Sequence, residues 1–141
     1  DNIQNPSIHS LLSSKYHEAQ MHRLNIHAEI PDPVIHNYLT DLDLAVVLGH
    51  LMDNAIDGAR KASEGFISLA YFDEEDCQSF IIESTIAEEQ VPLSMMSTQL
   101  SHPEGGIGVN AVQDILERYP NTSFSVRSQN HKMMQILEMR P

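Results

Sequence analysis

The run from Leu44 to Lys61 carries two faces of opposite character, and any fold of this chain has to satisfy both. Wound as an α-helix, Leu44, Val47, Leu48, Leu51 and Ala55 share one stripe, while His50, Asp53, Asn54, Asp57 and Lys61 share another. The apolar stripe requires burial, so the segment is expected as a helix laid on a core. The second stripe then holds a line of imidazole, carboxylate and amide groups against something polar. An Asn amide oxygen among carboxylates suits a hydrated hard cation such as Mg²⁺, which takes few protein ligands and leaves room for phosphate oxygens. The same spacing also describes a surface helix with a solvated polar face, and spacing alone does not choose between the two.

A second segment bears on that choice. Gly105-Gly106-Ile107-Gly108 leads straight into Val109, Val112, Ile115 and Leu116, a helical repeat. Glycines allow close approach of a backbone to a ligand, and the free N–H groups of a helix start favour an anion. Loops and helix entries also use glycine for other reasons. Taken together, the two segments suggest one site, with Asn54 for a metal and the glycine turn for phosphates.

Composition narrows the class of protein. A chain of 141 residues, 41% hydrophobic, fits one globular domain spanning 1–141. No apolar run approaches the roughly 20 residues that cross a bilayer. The polar start Asp1-Asn2-Ile3-Gln4-Asn5 is not that of a signal peptide. Because the chain does not begin with Met, it is read as a piece of a longer protein, whose membrane anchoring stays open. A net charge of −12, with eight scattered basic residues, argues against nucleic acid. The same charge opposes any anionic ligand, so local donors and a cation would have to overcome it. The lone Cys77 excludes an internal disulfide and fits a reducing compartment. Eight histidines show no HExxH or comparable ligand spacing, so no transition-metal site is expected.

Along the chain, Asn5-Pro6 reads as a cap and first helical residue, with the helix running to about Arg23. Leu24 to Ile30 alternates as a half-buried strand, ended by Pro31-Asp32-Pro33. Thr40 caps the central helix, with Asp43 placed as in a capping box, and that helix runs to about Ala62. Phe66 to Phe72 and Gln78 to Thr85 form a hairpin around the acidic turn Asp73-Glu74-Glu75-Asp76. Residues 86–104 show no clean period and contain Pro92 and Pro103, as a functional lid or a disordered segment would. Thr122 to Ser128 and Lys132 to Met139 are the last two strands, joined around Asn130, with Met133, Met134 and Met139 filling the core. The expected architecture is an α/β (α+β) two-layer sandwich, a mixed and mostly antiparallel sheet covered on one face by three helices.

These residues resemble the catalytic, ATP-binding domain of sensor histidine kinases, within the gyrase–Hsp90–kinase–MutL (GHKL) superfamily. Among its branches the likeness is to the peptide-pheromone quorum-sensing receptors of Gram-positive bacteria. Asn5-Pro6 through Lys15, Ala19 and Ile26 looks like the run before the nucleotide site. Leu48-Gly49-His50-Leu51-Met52-Asp53-Asn54-Ala55-Ile56-Asp57-Gly58-Ala59 looks like the N box, Ser97-Thr98-Gln99 like the Ser-Thr-Lys of the lid, and Gly106-Ile107-Gly108-Val109 like the phosphate box. The resemblance implies the Bergerat ATP-binding fold, with ATP and Mg²⁺ held between the N-box helix and a lid at 86–104. It implies Asn54 as Mg²⁺ ligand and, with His50, as the catalytic pair. Asp57, Lys61, Ser84, Thr98, Gly105, Gly106, Ile107 and Gly108 would complete the nucleotide site.

The departures are specific. Position 50 is usually Asn in the kinases and Glu in hydrolysing relatives; His50 either accepts a proton or, as favoured here, hydrogen-bonds a phosphate or Asp53. Gln99 replaces the lid lysine. No Asp-x-Gly-x-Gly adenine box is present, and Glu83-Ser84 stands in its place. The implied function is transfer of the ATP γ-phosphate to a histidine on a dimerisation helix absent from this chain. The implied setting is a homodimeric, membrane-anchored parent with this domain in the cytoplasm and a response regulator downstream. The alternative is a degenerate kinase-like domain with weak or no ATP binding, acting as an interaction module.

Overall fold

In a computed structural model, residues 2–89 and 107–141 are described, side chains 107–111 excepted. Helix α1 (Pro6–Met21) starts where expected. The Asn5 side-chain oxygen accepts from the Ser7 and Ile8 N–H groups at 2.9 and 3.1 Å, and Pro6 takes the first turn, where no N–H is needed. It stops two residues before the expected Arg23, because Arg23 turns left-handed at φ 60°. The Arg23 N–H then bonds Gln20 O and the Leu24 N–H bonds Ala19 O, the paired bonds that close a helix end.

Strand β1 (Asn25–Glu29) follows, then α2 (Asp41–Lys61), β2 (Phe66–Glu74), β3 (Cys77–Thr85), α3 (Ile107–Glu117), β4 (Thr122–Gln129) and β5 (Lys132–Met139). The sheet order is β1-β2-β3-β5-β4, with β1 parallel to β2 and every other pair antiparallel. It is the mixed sheet the sequence predicts, and α2 is the crossover between its two parallel strands. One apolar cluster joins Ile8, Leu12 and Ala19 of α1, Val112 and Ile115 of α3, and the apolar stripe of α2 to Ile67, Leu69, Tyr71, Phe80, Ile82, Leu137 and Met139 of the sheet. The three helices of the described residues therefore pack on the same sheet face. Leu44, Val47, Leu48, Leu51 and Ala55 are fully buried. Full burial of each leucine or valine contributes roughly 1.5–3 kcal/mol, so the stripe is the main anchor of the helix.

Three details differ from the sequence reading. The acidic turn is shorter: Glu74 pairs with Cys77, leaving Glu75-Asp76 alone at the tip, because the half-exposed hairpin end lets acidic side chains stand out from paired backbone. Met134 lies on the opposite face from buried Met133 and Met139, since consecutive strand residues point to opposite sides. At the start of α2, Thr40 Oγ1 accepts from the Asp43 N–H at 3.2 Å, as a capping box requires. The Thr40 N–H, however, donates to the Tyr119 hydroxyl at 3.2 Å, and that hydroxyl donates to Asp43 Oδ2, so a phenol from beyond α3 closes the box. The β4–β5 turn at Asn130-His131 has φ of 53° and 60°, the geometry of a two-residue mirror-image turn that matches strand twist.

Candidate functional site

The polar stripe of α2 runs along the edge of the helix, between its buried face and solvent. His50, Asp53, Asn54 and Asp57 are half-buried, and Lys61 is exposed. The carboxylates on either side of Asn54 are each matched by a lysine. Lys15 Nζ of α1 lies 2.6 Å from Asp53 Oδ1 and 3.6 Å from Glu18 Oε1, and Lys61 Nζ lies 3.2 Å from Asp57 Oδ2. Partial burial works to lower the Lys15 pKa, but the hydrogen bond and charge of Asp53, with help from Glu18, outweigh it and hold the ammonium above its ordinary value. This pairing addresses the difficulty set by the net charge of −12: next to Asn54 the acidic groups are locally neutralised. Of the two passive roles expected for His50, a bond to Asp53 is not made; Asp53 is taken by Lys15.

Asn54 itself reaches down to the sheet. Its Nδ2 donates to Gln135 Oε1 of β5 at 3.4 Å, and Gln135 Nε2 donates to the Leu51 carbonyl at 3.0 Å. Asn54 Oδ1 has no protein partner among the described residues. Beside it opens a small cleft, about 50 Å³, lined by Asn54, Asp57, Gly58, Lys61, Ile86, Ala87, Glu88 and Met133. A larger one of about 470 Å³ shares Lys61, Ile86 and Ala87 with it and extends to Lys132 and His131. Gly58 lets α2 approach the end of β3 closely: a Cβ there would stand 3.1 Å from Ile86 Cγ2 and 3.4 Å from Thr85 O. Ser84, on the same sheet face two residues along, is fully buried and its hydroxyl has no partner among the described residues. A hydroxyl left so costs desolvation without return.

The structure brings Asn54, Asp57 and Lys61 to one cleft; Ser84 lines neither cleft and is paired in the sheet with Met133, which lines the smaller one. Ile107 begins α3, and Gly108 is its second residue. Thr98, Gly105 and Gly106 lie outside the described residues, as does the expected lid beyond Glu89. The first residues of that segment are tied down: the Ile86 N–H bonds His131 O at 2.9 Å, and the His131 N–H bonds Glu89 O at 2.8 Å. Sequence reasoning missed Lys15 and Gln135. Lys15 carried no local signal of its partner on another helix. Gln135 did carry one, as a polar residue in the buried row between Met133 and Leu137. Among the described residues no group of three or more His, Cys, Asp or Glu side chains could hold a metal ion. A metal here would thus rest on Asn54 and on the ligand's own oxygens, a donor set that Mg²⁺ accepts because it keeps several non-protein ligands.

A parallel βαβ unit extended by antiparallel strands, with one crossover helix carrying a polar line to a cleft at the sheet's end, defines an α+β sandwich with its site at the helix–sheet junction. Residues 39–140 match the family described as GHKL domain, and the chain belongs to that family. Among solved structures, the catalytic domain of histidine kinase ThkA in a nucleotide-free form is similar at a TM-score of 0.78 and 13% identity, over 95% of this chain and 91% of that one. Histidine kinase AdeS of Acinetobacter baumannii is similar at 0.68 and 15%, over 95% of this chain and 62% of that one. Full-length ShkA in complex with AMPPNP is similar at 0.72 and 13%, over 94% of this chain and 29% of that one. At these identities the likeness is one of fold. No curated protein matches the chain in sequence.

Proposed function

We propose that this domain binds ATP with Mg²⁺ and is the catalytic half of a sensor histidine kinase, presenting the γ-phosphate to a histidine on a separate dimerisation helix. The observation that carries this reading is the state of Asn54: its Oδ1 has no partner among the described residues, while the carboxylates flanking it are paired with Lys15 and Lys61. Bound Mg²⁺ would neutralise phosphate charge there, which suits a reaction driven by positioning and charge rather than by covalent work of side chains. Asn54 would hold the metal, Lys61 would stand at the rim shared by the two clefts, and Ser84 would offer its unused hydroxyl toward the base. The glycine turn before Ile107, with Thr98, would wrap the phosphates. His50, free of Asp53, would hydrogen-bond a phosphate. The structure of histidine kinase ShkA with AMPPNP supports the reading by analogy of fold. In the intact protein we place this domain on the cytoplasmic side of a membrane-anchored homodimer of the quorum-sensing receptor type, with a response regulator as the next phosphate acceptor.

Calorimetric titration with ATP, with and without Mg²⁺, tests it. Binding strengthened by Mg²⁺ is expected, and Asn54→Asp should weaken that Mg²⁺-dependent part by about tenfold while the fold persists, a loss typical of disturbed metal sites. Unchanged Mg²⁺-dependent affinity in the variant would remove Asn54 from the site. A second reading has one observation in its favour: the cleft at Asn54 is about 50 Å³, below the roughly 300 Å³ at which small-molecule pockets begin. The absence of both heat and thermal shift at millimolar nucleotide would favour a kinase-like interaction module instead.

A further inference from the structure

Gln135 is a polar side chain where the pattern of its strand calls for an apolar one. On β5 the residues facing the helices are Met133, Gln135, Leu137 and Met139, all buried, and Gln135 is fully so. Burying an amide requires that its groups be satisfied, and both ends of this one are used on α2. One partner removes an ambiguity. The Leu51 carbonyl can only accept, so the end of Gln135 that meets it at 3.0 Å has to be the Nε2 donor. The other end, Oε1, then faces Asn54 and can only accept. Asn54 in turn has to present Nδ2 to it, at 3.4 Å. The Asn54 oxygen is left with no partner among the described residues, on a side chain that lines the cleft with Asp57 and Lys61.

We propose that Gln135 is a positioning residue: it carries the fixed polarity of the Leu51 carbonyl to Asn54 and so keeps the Asn54 oxygen, rather than its NH₂ group, facing the cation of a bound Mg²⁺–nucleotide. The proposal rests on the nucleotide reading given above. An amide turned the other way would offer the cation two protons instead of a lone pair. Because the relay starts from a backbone carbonyl of the same helix that bears Asn54, it holds the orientation whatever the charge state of the surrounding side chains. Asp57 and Lys61 pair with each other, and Asp53 pairs with Lys15, so neither carboxylate competes for the Asn54 amide.

Two variants and one measurement on the unaltered protein test this. Gln135→Met keeps the volume and removes both hydrogen bonds. It should bind nucleotide without Mg²⁺ as the wild type does, and lose about tenfold in the Mg²⁺-dependent part, the scale of effect when a group orienting a metal ligand is removed. Gln135→Glu adds a pH readout. Burial favours the neutral acid, which can donate to Leu51 O and accept from Asn54 as the amide does. Its Mg²⁺-dependence should match wild type at mildly acid pH and fall as the carboxyl ionises, a profile that a purely structural role would not give. In wild-type protein, NMR should find the Asn54 side-chain NH₂ protons protected from exchange, and still protected when Mg²⁺–ATP is added. Protons exchanging as fast as those of an exposed Asn overturn the relay, whether or not the variants fold. Wild-type Mg²⁺-dependence retained by Gln135→Met at all pH values overturns Gln135 alone and leaves the nucleotide reading standing. Wild-type protein that binds no nucleotide overturns both.

Discussion

Asp43 stands in the first turn of α2, where its carboxylate accepts from the Tyr119 hydroxyl and the Arg118 guanidinium and lies beside the Thr40 hydroxyl. The Tyr119 hydroxyl is the strongest influence, joined by Thr40 and by Arg118, whose Nη2 lies 3.1 Å away. These hold its carboxyl below the usual carboxylate range, against the opposing effect of desolvation. A carboxyl with a depressed folded pKa contributes stability that is present above its unfolded pKa, about 3.9, and is lost as pH falls through the lower folded value. Asp43→Asn should therefore unfold at lower urea than wild type at neutral pH, with the two converging as pH drops below the ordinary carboxylate range. A gap that stays constant down to strongly acid pH would show that the carboxylate's charge is not what ties α2 to α3. Other residues carry a cost with no visible return. Tyr71 and Ser84 hold buried hydroxyls without partners among the described residues, and burial together with Asp73 drives the Tyr71 phenol pKa well above its ordinary value.

At the scale of elements, α2 is the piece on which the others depend, and Gly58 shows how closely it is fitted. An alanine in a helix interior is ordinarily better than glycine by about 1 kcal/mol. Here the added methyl would press on Ile86, which is buried and packed with Met133. Gly58→Ala is expected to give no gain in urea-unfolding free energy, or a loss of about 1 kcal/mol, and to narrow the cleft that Gly58 and Ile86 both line. A full gain of about 1 kcal/mol would mean that Ile86 yields freely. Much of this element was legible in the sequence, because its signals are local. The caps at Asn5 and Thr40, the two stripes of α2 and the β5 limits at Lys132 and Met139 are each set by neighbours in the chain. What was not legible depends on partners far away: Lys15 meeting Asp53, Tyr119 entering the capping box, and Gln135 reaching Asn54 across the core. Periodicity places a side chain on a face and says nothing of what stands opposite.

Over the whole molecule, twenty acidic residues against eight basic ones leave a net charge of −12 on 141 residues. Such a surplus repels itself more in the compact state than in the extended one. Among the described residues, the ion pairs of α2 with Lys15, Lys61 and Arg118 relieve it locally, at both ends of that helix. Adding NaCl from about 20 to 200 mM shortens the screening length and should raise the melting midpoint by a few degrees. A midpoint that falls with salt would mean that the surface pairs outweigh the surplus. Among the described residues no helix packs on the other face of the sheet, and none is long and apolar enough to cross a membrane.

Lys15 has one more implication, for where the working unit begins. The shared family segment opens at Leu39, yet the ammonium that offsets Asp53 comes from the preceding helix, as do Ile8, Leu12 and Ala19 beneath α2. A fragment trimmed to the recognised segment would keep Asn54 and forfeit both its neighbour's counter-charge and part of its own footing. The boundary drawn by kinship and the boundary drawn by physics differ by a helix and a strand.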